Sequence, residues 1–245
     1  MKFHEKRFAR EYDTRLTAEN YPGLLLEKIL DKLQTNSTVI DCGAGSGFFA
    51  IPLARMGYKI TAVEPSVPML DILKEKLVES IQDKPADMPI SIVNQSWEDY
   101  AGEGANYCIC VHAIYPMVNP KKALLKMREL CGNTILIARD NNHASSTITD
   151  RIRDRLKIET SYKRNEVDVA GLLQMLNIKF TPEKVDQKRI SKFSDMDAET
   201  EYYAYHLKIP QTSLNKIKEV LTDLATETEK GYEIEQTYHD IIYIF

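Results

Sequence analysis

The chain has 245 residues, 43% of them hydrophobic and 28% charged, with a formal net charge of −4. Those are ordinary values for a folded domain with a sizeable core, and they weigh against both a disordered chain and a nucleic-acid partner, which would normally need a basic face. No apolar run approaches the ~18 residues of a membrane span, the start MKFHEKRFAR is too polar for a secretory signal, and the four cysteines fit no zinc spacing, so a cytoplasmic protein with reduced thiols, no metal and no membrane contact is expected.

In chain order, residues 4–16 read as a mostly polar helix carrying Phe8 and Tyr12, and residues 20–33 as a helix with Leu24, Leu25, Ile29 and Leu33 on one face. Val39 and Ile40 mark a buried strand that runs into Asp41-Cys42-Gly43-Ala44-Gly45-Ser46-Gly47. Glycines at alternate positions let the backbone turn sharply and let a ligand touch the main chain. Phe48 to Met56 then reads as a helix closed by Gly57, and Tyr58 to Val63 as a second strand ending on Glu64. Strand, glycine turn, helix, strand and acid make a nucleotide-binding βαβ unit, with the acid placed to accept ribose hydroxyls.

Ser66 then caps a helix with the stripe Leu70, Leu73, Leu77, Val78 and Ile81. A third strand, Ile90 to Asn94, leads into Gln95-Ser96-Trp97-Glu98-Asp99. The fourth, Tyr107 to Val111, is almost wholly apolar, as expected of a central strand covered on both faces, and ends on His112-Ala113-Ile114-Tyr115. Asn119-Pro120 starts a helix that Gly132 is expected to end, and residues 134–138 form a fifth strand. A helix on Ile148, Ile152 and Leu156 carries Arg151, Arg153, Arg155 and Lys157, read as a solvated face rather than an anion site. A helix over 166–177, a strand from Phe180 to Ile190, a helix from Thr212 to Thr226 and an apolar strand from Tyr238 to Phe245 complete the chain.

A dinucleotide fingerprint would place a small residue where Phe48 stands. With Asp41 before the first glycine and Glu64-Pro65 seventeen residues after the last, the pattern instead resembles the class I S-adenosylmethionine (SAM) methyltransferases. The resemblance implies an α/β doubly wound, seven-stranded, mostly parallel sheet with its last strand antiparallel and a helical cap. It implies a single domain over 1–245, with cap segments at 1–20, 141–177 and 192–230. The cofactor would be SAM, leaving as S-adenosylhomocysteine, held by Asp41, Gly43, Ala44, Gly45, Gly47, Glu64 and Pro65. Ser96 and Trp97 would lie at the adenine, with the indole as its platform, although Ser96 stands where Asp is frequent in that family and a core role for Trp97 is the alternative. His112 would border the methionine end. It and Tyr115 are the candidate catalytic residues, with Asp140 and His143 near the same mouth. The expected acceptor is a small molecule, because the family's amine-methylating signature is absent after the fourth strand. An RNA methyltransferase using the basic stretch near 151–164, or a SAM-binding protein without turnover, are the alternatives.

Overall fold

The computed structural model describes residues 2–83, 88–140, 146–158 and 167–245. Five strands, β1 (Thr38–Cys42), β2 (Lys59–Val63), β3 (Ile90–Val93), β4 (Ala105–Val111) and β5 (Cys131–Arg139), pair in parallel in the order β3-β2-β1-β4-β5. β8 (Gly231–Ile244) inserts antiparallel between β5 and β6 (Thr181–Phe193). The short β7 (Thr226–Thr228) adds to β8, giving an eight-stranded sheet where seven strands are expected from the sequence. The helices are α1 (Lys6–Ala18), α2 (Leu24–Leu30), α3 (Ala50–Arg55), α4 (Val67–Asp83), α5 (Pro120–Leu130), α6 (Ile148–Leu156), α7 (Val169–Met175), α8 (Met196–Leu207) and α9 (Leu214–Leu224).

Strand alternation decides how the sheet is covered. Val39, Ile60, Ile109, Ile135 and Ile242 point to one face, where they meet Leu25 and Ile29 of α2, Leu53 of α3, and Leu70 and Leu73 of α4. Ile40, Cys108, Cys110, Leu136 and Tyr243 point to the other, against Leu124 and Met127 of α5 and Val169 and Leu173 of α7. The cysteines are thus small core residues, all four buried as free thiols. A separate core made by Ile148, Ile152, Tyr203, Ile217, Leu221 and Ile234 ties α6, α8 and α9 to β8. On the outside of α4, Met69 and Ile72 receive Phe3 and Ala9 from the amino-terminal segment.

Three local expectations differ from the structure. Helix α5 stops at Leu130, because Cys131 is already extended; Gly132 lies in β5 instead, where a Cβ would approach Asn106 O at 3.0 Å. Val78, expected on the buried stripe of α4, is 60% exposed. Strand β8 begins at Gly231 rather than Tyr238, and α8 occupies a stretch in which the sequence suggests no helix.

Candidate active site

The site lies at the carboxyl ends of β1, β2, β4 and β5, where an open parallel sheet leaves a crevice. After β1 the chain turns through Gly43, Gly45 and Gly47, with φ of 80°, 54° and 84°. They serve different needs. A Cβ on Gly43 would come within 2.3 Å of Ala113 Cβ, so that glycine lets the loop pack against the chain leaving β4. One on Gly47 would press on Ile51 and Leu73 at 3.0 Å. One on Gly45 would meet nothing within 4 Å, so the main chain there is open to a ligand. Ala44 is buried, and its N–H, like that of Gly43, donates to Val63 O at 3.1 and 2.9 Å respectively.

Glu64 stands at the end of β2 with its carboxylate against the glycine turn. Its Oε2 accepts from Gly45 N at 2.9 Å and its Oε1 from Ser66 N at 2.8 Å, leaving each oxygen a lone pair. Burial raises its pKa, and the two backbone donors pull it back. Pro65 beside it is exposed, and Asn94 Nδ2 donates to the carbonyls of both Glu64 and Pro65. Asp41 is 2% exposed, with Oδ2 lacking a partner among the described residues; Ser46 Oγ is covered and likewise unpartnered.

Ser96 Oγ donates to Asp99 Oδ2 at 2.7 Å and accepts from Asp99 N, closing the turn after β3. Trp97 does not reach the crevice surface. Its indole is 3% exposed, stacks on Tyr100 at 5.7 Å and donates to Ala123 O at 3.2 Å, within the core on the α5 side. The expectation of an adenine platform is therefore corrected: an indole driven into the core by its large apolar surface has no free face for a base.

At the end of β4, His112 adopts φ 54°, the left-handed conformation that turns the chain so that Ala113 meets Gly43. Both ring nitrogens are covered and lack a hydrogen-bond partner among the described residues; Nε2 is 3.6 Å from Asp240 Oδ1. Burial, then the nearby Arg139 and Arg189, hold its pKa well below 6.5, so the ring is neutral near pH 7. Tyr115 stacks beside it at 6.5 Å, and its hydroxyl accepts from Arg139 N at 2.6 Å. Burial pushes that phenol up. The structure thus brings His112 and Tyr115 together. Asp140 is buried, with Lys184 Nζ 3.7 Å away. His143 lies outside the described residues.

Several polar residues in this cluster are not singled out by the sequence. Arg139 donates to Asp240 Oδ1 at 2.8 Å, Gln187 to Asp240 Oδ2 at 2.6 Å, and Arg189 lies over the Tyr21 and Tyr238 rings. A readable signal did exist: Gln187, Arg189 and Ser191 take alternate positions of one strand, the inward face by the period of two.

A family model described as a methyltransferase domain matches residues 10–176. The chain belongs to that methyltransferase family. Its fold is shared with solved structures of low sequence identity. One is a protein from Anabaena variabilis assigned as a methyltransferase of an antibiotic biosynthesis pathway, 19% identical over 89% of this chain and 95% of that one, with a TM-score of 0.61. Another is a SAM-dependent methyltransferase from Thermotoga maritima, 16% identical over 99% and 98%, with a TM-score of 0.55. Among curated proteins, one from Methanosphaera stadtmanae assigned as ribosomal RNA small subunit methyltransferase A is 28% identical over 78 residues, which are 32% of this chain and only 28% of that protein.

The Thermotoga maritima protein is SAM-dependent, so SAM is the group whose fit to this crevice matters. The crevice fits it on three counts: open main chain at Gly45, a Glu64 carboxylate with acceptor capacity to spare, and the buried, unpartnered Asp41 Oδ2. Among the described residues no group of His, Cys, Asp and Glu could hold a metal, and no helix is long and apolar enough to cross a membrane.

Proposed function

We propose that this methyltransferase is one domain over 1–245 that takes SAM and methylates a small-molecule acceptor over the ends of β4 and β5. Its cap segments are 1–20, 192–230 and the α6 part of 141–177, since α7 covers the sheet and 141–145 and 159–166 lie outside the described residues. The observation that carries the acceptor class is burial. Arg189, Gln187 and Asp240 are 6%, 8% and 1% exposed, so a molecule reaching them must fit inside the protein. An RNA helix cannot enter such a space, and the basic helix α6 offers no substitute. Its Ile148 and Ile152 are packed in the cap core, Arg151 is bonded to Ser146 Oγ, and Arg155 is 3.8 Å from Glu219.

In this reading Glu64 accepts the two ribose hydroxyls, the turn from Asp41 through Gly43, Ala44, Gly45 and Gly47 lies along the ribose and methionine portion, and Pro65 with the turn at Ser96 borders the adenine. Bound SAM supplies a methyl group on a positively charged sulfur, an already activated leaving group. What remains for the chain is to orient the acceptor and exclude water. His112 serves first as a neutral wall beside the methionine end, as its covered nitrogens suggest. It is also the candidate base for an acceptor that must lose a proton, and Tyr115 stacks beside it with its hydroxyl bonded to Arg139 N.

The test is direct. Glu64→Ala should weaken S-adenosylhomocysteine binding by about ten- to a hundredfold in calorimetry, the loss of charge-assisted bonds to hydroxyls. Unchanged affinity in a folded variant removes the assignment. Methyl transfer from labelled SAM to a small-molecule extract but not to a total RNA preparation is the expected acceptor result, and the reverse outcome favours RNA.

A further inference from the structure

The inner face of a strand beside a sheet core is normally apolar, yet Gln187, Arg189 and Ser191 of β6 are all buried there. Across the ladder stand Tyr238, Gln236 and Ile234. The buried polar groups around Arg189 are satisfied by one another. Asp240 is taken by Arg139 and Gln187, and Glu19 by Ser191 and, at 3.1 Å, by Gln236, which also donates to Ser191 Oγ at 2.7 Å. Arg189, like the His112 ring, is an exception. Its Nη2 is covered and has no hydrogen-bond partner among the described residues. Its guanidinium lies over Tyr21 at 4.6 Å and over Tyr238 at 4.4 Å. The rings offset part of the cost of burying a cation, but they leave its N–H groups unmet. A cleft of about 600 Å³ runs along the β6 edge between residues 18–24 and 186–192, and Arg189 is among the residues that line it.

We propose that Arg189 receives a carboxylate carried by the methyl acceptor, so that the substrate class is small carboxylic acids. The proposal rests on the reading of a small-molecule acceptor given above. A guanidinium faced by aromatic rings keeps its planar edge for a ligand, and that edge matches a carboxylate in a two-bond fork. The two nearby carboxylates direct their hydrogen bonds elsewhere, Asp240 to Arg139 and Gln187 and Glu19 Oε1 to Ser191 and Gln236, so neither caps the edge of Arg189. A second consequence follows at His112, whose protonation is opposed by Arg139 and Arg189. A carboxylate on Arg189 weakens that opposition, so the imidazole gains basicity when the acceptor is in place.

The experiment uses the full chain saturated with S-adenosylhomocysteine and a panel of aliphatic and aromatic monocarboxylates, each beside its primary amide, with inorganic phosphate as a further probe. Binding is read by calorimetry and by the shift in Tm. At least one carboxylate should bind about tenfold or more tighter than its amide, the worth of a charge-assisted pair. Arg189→Gln should abolish that preference, and Arg189→Lys, which keeps the charge without the fork, should weaken it. S-adenosylhomocysteine affinity should stay unchanged in both, and Arg189→Gln should melt no lower than the parent without ligands, because an unmet buried charge has been removed. No carboxylate preference anywhere in the panel overturns the proposal, as does a preference for phosphate. A large fall in Tm for Arg189→Gln also overturns it, by making the guanidinium a pillar between the two tyrosines. Failure of the parent to bind S-adenosylhomocysteine at all is a separate result, which overturns the site reading beneath it.

Discussion

The carboxyl of Asp41 is pushed up to about 8 from its ordinary 3.8, first by burial and then by the proximity of Cys108 and Glu64, against a single opposing bond from the Ala50 backbone. Between those two values the folded protein holds a proton that the unfolded chain has released. The contribution of Asp41 to the stability of the cofactor-free protein therefore falls as pH rises from about 4 to about 8. Asp41→Asn, which mimics the protonated form, should flatten that slope in thermal melts at a series of pH values; an unchanged slope assigns the pH dependence to another group. Trp97 yields a prediction of the opposite kind. Trp97→Phe should cost about 1–3 kcal/mol of stability, as core truncations with a lost hydrogen bond do, yet leave S-adenosylhomocysteine affinity and the remaining binding signal unaltered. A tenfold loss of affinity would return the indole to the cofactor site. At this scale the sequence was readable where function is local. Asp41, the glycines and Glu64 lie within one βαβ unit, and Glu64 reaches Gly45 across only 19 positions. For Arg189 the strand period marks the inner face but not its unmatched state, because the rings that enclose it come from Tyr21 and from Tyr238 of β8, far away in the chain.

Among the elements, α1 and α8 are joined by a fork. Arg15 donates from Nη1 and Nη2 to the two oxygens of Glu199, both at 2.7 Å, and its guanidinium lies 3.2 Å from the centre of the Tyr202 ring. The Glu199 side chain is only 4% exposed, so Arg15→Ala would strand a buried carboxylate. The expected loss is about 3 kcal/mol, read as a drop in Tm, and Arg15→Ala/Glu199→Gln should recover part of it. Simple additivity in that double mutant would show that the pair contributes little. The same contact explains why α8 escaped notice in the sequence. Its buried side includes Glu199 and Thr200 as well as Met196 and Tyr203, so no apolar stripe of period 3.6 marks it. Asp195 did carry a signal, as a side chain that accepts from Asp197 N and Ala198 N to start the helix.

For the molecule as a whole, the alternating apolar residues of β1, β4 and β5 made the two-sided sheet legible, since each strand must be covered on both faces. The length of the last ladder was less so, because polar residues on its inner face disguise it. β8 pairs with β5 only from Asp240 to Ile244, whereas its pairing with β6 continues back to Tyr232. At about 3.4 Å per residue, the part of β8 before Asp240 projects roughly 30 Å past the end of β5. It is a cantilever: one pair of strands is anchored in the catalytic floor and carries α6, α8 and α9 on its free arm. Such a beam, bonded along its whole length through the main chain, cannot swing without tearing the floor. The yielding jamb of the doorway is therefore the amino-terminal side, where α1 is fastened by side chains alone, Asp13 to Lys76, Arg10 to Glu75 and Arg15 to Glu199. Of those latches Arg10–Glu75 is the exposed one, so dissolved salt, which screens exposed pairs and spares buried ones and the beam, should loosen that edge of α1 before it harms the fold.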